Sequence, residues 1–93
     1  MEVKYTVLYA QEVIEEDIPC LASAARTRIK TAIEAKLTTA PETYGKPLRR
    51  SLKGYRKLRV GDYRVVFRIE AKTVKVFVIQ HRRIVYDIAN ARV

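Results

Sequence analysis

Between residues 55 and 81 the hydrophobic period is two, and it breaks only at Gly61-Asp62 and Ala71-Lys72-Thr73. Arg56, Leu58 and Val60 alternate with Tyr55, Lys57 and Arg59. Tyr63, Val65, Phe67 and Ile69 then alternate with Arg64, Val66, Arg68 and Glu70. Val74, Val76, Val78 and Gln80 alternate with Lys75, Phe77, Ile79 and His81. Successive side chains of a strand point to opposite faces, so the block predicts three strands joined by tight turns. Gly61-Asp62 is a two-residue hairpin signal, since such turns need a residue that tolerates positive φ.

The preceding half has to cover that meander. Residues 3–9 read as another strand, with Val3, Tyr5, Val7 and Tyr9 on one face. Gln11 to Asp17 reads as an acidic amphipathic helix that turns Val13, Ile14 and Ile18 to one side, and Pro19 ends or bends it. Ser23 is the expected N-cap of a second helix, in which Ala25, Ile29, Ile33 and Leu37 recur every four residues. Pro41 stops it, because the residue before proline disfavours helical backbone. Residues 41–54, with Pro41, Gly45, Pro47 and Gly54, read as a loop that tacks Leu48 and Leu52 onto the core. A short helix is expected from Asp87 to Arg92. The order β-α-α-β-β-β predicts an α+β fold of one domain over residues 1–93: an antiparallel sheet, two helices on one face, and a basic open face.

The charge is uneven. The chain carries 19 Lys/Arg against 10 Asp/Glu, a net +9. Residues 1–46 hold 6 bases and 7 acids, whereas residues 47–93 hold 13 bases and 3 acids. A field of that sign and size attracts polyanions: nucleic acid, an anionic surface or an acidic protein. No apolar run is long enough to span a membrane, and the N-terminus has no leader pattern, so a cytoplasmic setting is expected. One cysteine, Cys20, and one histidine, His81, exclude a Cys/His metal cluster, and no cofactor or metal is expected.

If Val65 and Phe67 face the helices, Lys57, Arg59, Arg64 and Arg68 share the opposite face. Charged strand positions are ordinarily just solvated, but a solubility surface mixes both signs. Tyr55, Tyr63 and Tyr86 lie among these cations. Single-stranded RNA is held in this way, with bases stacked on aromatic planes and phosphates on Lys and Arg. Lys53, Tyr55, Arg56, Arg59 and Arg68 are therefore the candidate RNA-binding residues. The segment His81-Arg82-Arg83-Ile84-Val85-Tyr86 follows a strongly apolar strand, where side chains can be held rigidly. Cleavage by a ribose 2′-OH needs a proton acceptor, cations on the phosphorane, and a donor to the leaving 5′-oxygen. Lys57, Arg64, His81, Arg82, Arg83 and Tyr86 include every part of that set, with Tyr86 the principal acid–base candidate and His81 auxiliary. A non-catalytic nucleic-acid-binding or regulatory module fits the charge equally well but gives Tyr86 no role.

The stretch Lys46-Pro47-Leu48-Arg49, then Leu52-Lys53-Gly54-Tyr55-Arg56-Lys57-Leu58-Arg59-Val60-Gly61-Asp62-Tyr63-Arg64-Val65-Val66-Phe67, closing with His81-Arg82-Arg83-Ile84-Val85-Tyr86, resembles the RelE branch of the RelE/ParE toxin superfamily. The resemblance covers nearly the whole chain. It implies a toxin of a type II toxin–antitoxin pair that cleaves mRNA in the ribosomal A site, without metal, using the 2′-OH as nucleophile. It also implies an acidic, RelB-like antitoxin partner and a toxin–antitoxin hetero-oligomer. By position, the family's active-site cations fall on Lys57 and Arg64, the basic residue after the last long strand on Arg82 or Arg83, and the C-terminal tyrosine on Tyr86. One family lysine, two positions before Lys57, is Tyr55 here. The ParE branch, which shares the fold and poisons DNA gyrase, is the alternative.

Overall fold

The computed structural model describes residues 4–93. Five strands, β1 (Thr6–Tyr9), β2 (Lys46–Pro47), β3 (Arg56–Val60), β4 (Tyr63–Glu70) and β5 (Thr73–His81), form one sheet in the order β1-β5-β4-β3-β2. The α+β class and the antiparallel β3-β4-β5 meander are as expected. The sheet is nevertheless mixed, because β1 runs parallel to β5, from Thr6 beside Thr73 to Tyr9 beside Val76. The helices carry the chain across one face to the far edge, and three antiparallel steps bring β5 back beside β1. Alternation reports which face a side chain takes, not which way its strand runs, so it could not show this. Tyr5, Val7 and Tyr9 pack on the helix-side core as expected, while Val3 lies outside the described residues.

The first helical segment is wider than an α-helix. Val13–Asp17 is a π-helical turn, in which Ile18 N–H donates to the Val13 carbonyl, and it runs into the 3-10 turn Ile18–Cys20. This winding turns Val13 and Asp17 inward and leaves Ile14 56% exposed, against the expectation that Ile14 faces the core. The α-helix α1 (Ser23–Ala32) continues as a second π-helical turn, Ile33–Leu37, and together they bury Ile29, Ile33 and Leu37 on the predicted face. Ala22, with extended backbone, takes the N-cap position, and Ser23 is already helical.

The segment expected to be a loop is partly ordered. Pro41 does not only stop one helix but starts the next, α2 (Pro41–Tyr44), at the position where its missing N–H costs nothing. After β2 comes a 3-10 turn, Arg50–Leu52. Gly45 is required for packing, since a Cβ there would stand 2.2 Å from Phe67 Cζ.

The register of β4 on β5 shifts from Val66 opposite Val78 to Phe67 opposite Val76, so Phe77 is an extra, bulged residue. The alternation predicted for β5 therefore fails at one point. Val74, Val76 and Ile79 join Val65 and Phe67 in the helix-side core. Phe77 and Val78 both turn to the other face. There, Leu52, Val66, Val78, Val85 and Ala89 form a second core, edged by Leu48, Tyr55, Phe77, Tyr86 and Ile88. The C-terminal helix α3 (Val85–Arg92) covers it, so the face expected to be open is open only beyond α3.

Candidate functional site

Register places the cations more firmly than alternation could. On the face opposite α1, Lys57 lies beside Val66, Arg59 beside Arg64, and Arg64 beside Gln80. The β2–β3 pairing adds Lys46 directly opposite Lys57. Sequence reasoning missed Lys46 as a member of this set, because a two-residue strand carries no periodic signal. Like charges directly opposite each other on neighbouring strands cost stability, so Lys46/Lys57 and Arg59/Arg64 are two unfavourable pairs.

α3 brings Tyr86 to these cations. Its buried residues Val85 and Ala89 sit on Val66 and Val78, and the ammonium of Lys57 lies 5.8 Å from the centroid of the Tyr86 ring. Both side chains are half-buried. Asn90 Nδ2 donates to the Tyr86 carbonyl at 2.8 Å, and the Asn90 side chain also meets Ser51 Oγ of the 3-10 turn. Lys57 and Tyr86 are 29 positions apart in the chain and meet because α3 packs on the second core.

Arg64 is 8% exposed, and its Nη1 donates to the Gly61 and Tyr63 carbonyls at 2.9 Å each. Arg82 flanks the same turn. Its backbone N–H donates to the Asp62 carbonyl at 2.8 Å, and its guanidinium stands 3.8 Å from the Asp62 carboxylate. Arg83 is exposed. Its backbone N–H donates to His81 Nδ1 at 3.2 Å, which leaves the proton of the neutral imidazole on Nε2.

His81 itself is on the other side. It pairs with Tyr63, whose ring it meets edge-on at a centroid distance of 5.7 Å, and Tyr63 packs on the helix-side core. The bulge at Phe77 is the cause: it reverses the facing of every later residue in β5, which takes His81 from the Arg68 side to the Tyr63 side.

The expected RNA-binding residues divide. Lys53 and Arg59 are exposed. Arg56 shares the helix-side face with Phe67, and its Nη1 donates to the Gly45 carbonyl at 3.0 Å, so it secures the α2 segment. The Tyr55 ring packs on Phe77 at 4.9 Å, with the Arg68 guanidinium 5.8 Å above it. Arg68 is paired with Glu70 at 2.5 Å, and Lys75 is paired with the same carboxylate at 2.9 Å. Those contacts hold Glu70 below the usual carboxylate range, chiefly through the Lys75 hydrogen bond. One end of the sheet thus has a carboxylate set between two of its cations. The end holding Lys46, Lys57, Arg59 and Arg64 has no carboxylate ion-paired to any of the four among the described residues.

Residues 4–86 match the family described as the ParE toxin of the type II toxin-antitoxin system parDE. No curated protein sequence matches the chain. Among solved structures, the chain is similar to one in the toxin–antitoxin complex RelBE2 from Mycobacterium tuberculosis. The identity is 32% and the TM-score 0.80, over 86% of this chain and 100% of that one. The RelB–RelE antitoxin–toxin complex from Methanococcus jannaschii shares the fold, at 23% identity and TM-score 0.66 over 87% of this chain and 96% of that one. YafQ from E. coli does so at 17% identity and TM-score 0.55 over 86% and 96%. With the meander, the helical cover and the family match in agreement over nearly the same residues, the chain belongs to the RelE/ParE superfamily of type II toxins.

Proposed function

We propose that this toxin is an endoribonuclease that cleaves mRNA in the ribosomal A site by internal transesterification. The observation that carries this reading is the Lys57–Tyr86 contact on a stretch of sheet whose cations have no carboxylate ion-paired to them among the described residues. A polyanion relieves the repulsion there, and Tyr86 supplies a hydroxyl and a stacking plane beside an ammonium. In the step proposed, the 2′-oxygen attacks the adjacent phosphorus while the bond from phosphorus to the 5′-oxygen breaks. The products are a 2′,3′-cyclic phosphate and a 5′-hydroxyl. Tyr86 holds the 2′-OH, whose proton passes to solvent, Lys57 and Arg64 meet the charge of the phosphorane, and the leaving 5′-oxygen takes a proton from water beside Arg82 or Arg83. His81, on the far face, is auxiliary. An acidic RelB-like antitoxin complements the basic half of the chain and folds over it.

Primer extension on a translated mRNA tests the reading. Wild-type toxin gives discrete cleavage products, Tyr86→Phe and Lys57→Met lose them, and His81→Gln retains most of the activity. If Tyr86→Phe is fully active and His81→Gln is dead, the two roles are reversed. The family match to ParE toxins favours one second reading, inhibition of DNA gyrase. Loss of gyrase supercoiling with intact mRNA would establish that reading and overturn the first.

A further inference from the structure

Asp17 is 1% exposed, and the proposed chemistry gives it no part. Its carboxylate accepts four hydrogen bonds. Ile79 N–H donates to Oδ2 at 2.9 Å, and Gln80 Nε2 to Oδ1 at 2.6 Å. Arg92 supplies the other two, Nη1 to Oδ2 at 2.9 Å and Nη2 to Oδ1 at 2.8 Å. Arg92 Nη1 also reaches the Phe77 carbonyl at 3.3 Å, and Glu16 stands 3.6 Å from Nη2.

These partners span the sheet. β1 ends beside Val76, so among the described residues the rest of β5 has no strand on that edge, and Asp17 takes up the Ile79 N–H in its place. Asp17 belongs to the helical segment on one face, while Arg92 is the last residue of α3 on the other. Tyr86 lies on the same eight-residue helix, six positions before Arg92. A helix that short does not hold itself in water. The packing of Val85 and Ala89 fixes its depth, but apolar contact is non-directional. A bidentate guanidinium–carboxylate pair, by contrast, fixes orientation.

We propose that Asp17 and Arg92 are positioning residues for Tyr86: their bidentate pair, formed around the edge of β5, sets the rotation and axial place of α3 and thereby holds the Tyr86 ring beside Lys57. The catalytic consequence rests on the ribonuclease reading above; the positioning does not.

The test uses the full chain with Arg92→Gln, Arg92→Lys and Asp17→Asn. Three readouts are followed: amide hydrogen exchange across residues 85–92, the NMR signal of the Tyr86 ring, and single-turnover RNA cleavage. Arg92→Gln should lose exchange protection in α3 while β4 stays protected. It should also shift the Tyr86 signal toward its position in Lys57→Met. Cleavage should slow by about 100-fold, as for a misplaced catalytic group, with KM nearly unchanged. Arg92→Lys, which keeps the charge but not the fork, should recover part of each effect. Asp17→Asn should give the same α3 signature; if it does not fold, the Arg92 series decides alone. A lowered melting temperature with unchanged α3 exchange and an unmoved Tyr86 signal would make the pair merely structural and overturn the proposal. If exchange and ring signal respond but the wild type cleaves no RNA, the positioning stands and the ribonuclease reading fails. If the wild type cleaves and Arg92→Gln cleaves equally well with a displaced Tyr86 signal, the pair does not position Tyr86 for this reaction.

Discussion

Replacing Arg64 by alanine separates structure from chemistry at the cationic end of the sheet. In the folded chain its guanidinium donates to two carbonyls of the β3–β4 turn at 2.9 Å and meets no carboxylate among the described residues. Hydrogen bonds from a charged donor contribute about 1.5–3 kcal/mol each where water cannot replace them. Here the turn is at the surface, so water can take over at the freed carbonyls, and removal of the arginine also ends the cost of burying a cation without a counter-ion. The net loss of stability should be about 1–2 kcal/mol. A small domain has about 5–15 kcal/mol in hand, so the variant remains more than about 99% folded. Loss of one charged donor to a developing phosphorane, by comparison, slows the reaction by about 100–1000-fold. The two effects differ too much in size to be confused. Urea titration gives the first, single-turnover cleavage of bound mRNA the second, and ribosome pelleting controls for binding. Cleavage at a near-wild-type rate would remove Arg64 from the reaction. Equal losses of binding and cleavage would recast it as an anchor.

Two further outcomes concern the fold. Ala71 begins the β4–β5 turn at φ 54°, a region that costs a residue with a Cβ about 1–2 kcal/mol, so Ala71→Gly should raise the urea midpoint even though glycine adds unfolded-state entropy. Tyr9 has its pKa raised above its ordinary value of 10.0, first by burial and then by Glu34. Its folded form favours the neutral phenol, so the stability it contributes is complete below the unfolded pKa and is lost as pH climbs past it. Thermal melts from neutral pH to beyond pH 10 should fall less steeply for Tyr9→Phe than for wild type.

What the sequence made legible follows from what a period can encode. The strands of the meander and the α1 stripe of Ile29, Ile33 and Leu37 were readable because burial on one face writes itself into spacing. The bulge at Phe77 was not. Val76, Phe77, Val78 and Ile79 are all apolar, so no polar residue marks the point where the facing reverses. That single extra residue also decides the site, since it sends His81 to the Tyr63 side while Gln80 goes with Arg64. Lys57 and Arg64 could be placed on one face from alternation alone, but their proximity to Tyr86 could not, because it depends on the second core. In the sequence Asp17 is one acid of the amphipathic Gln11 to Asp17 stretch, and nothing in the spacing marks it as buried. Only the π-helical winding shows that it points inward.

The cost of the cationic end can itself be measured. At the other end of the same face, Glu70 joins Arg68 and Lys75, so the fold can set a carboxylate among its sheet cations. Among the described residues no such carboxylate is ion-paired to Lys46 or Lys57, although β2 is short and exposed and would accept one without disturbing the core. Lys46→Glu turns a like-charge pair into an opposite-charge pair directly across from Lys57. Cross-strand pairs of this kind shift stability by about 0.2–1 kcal/mol, so the variant should be more stable than wild type, with the gain shrinking in high salt. The new carboxylate also engages the ammonium beside Tyr86 and repels phosphate, so RNA cleavage should fall as stability rises. Urea midpoints at two salt concentrations, with cleavage on the same samples, measure both. A destabilised variant, or a stabilised one that cleaves at the wild-type rate, would mean that the facing lysines are not kept apart from carboxylates for the sake of a polyanion.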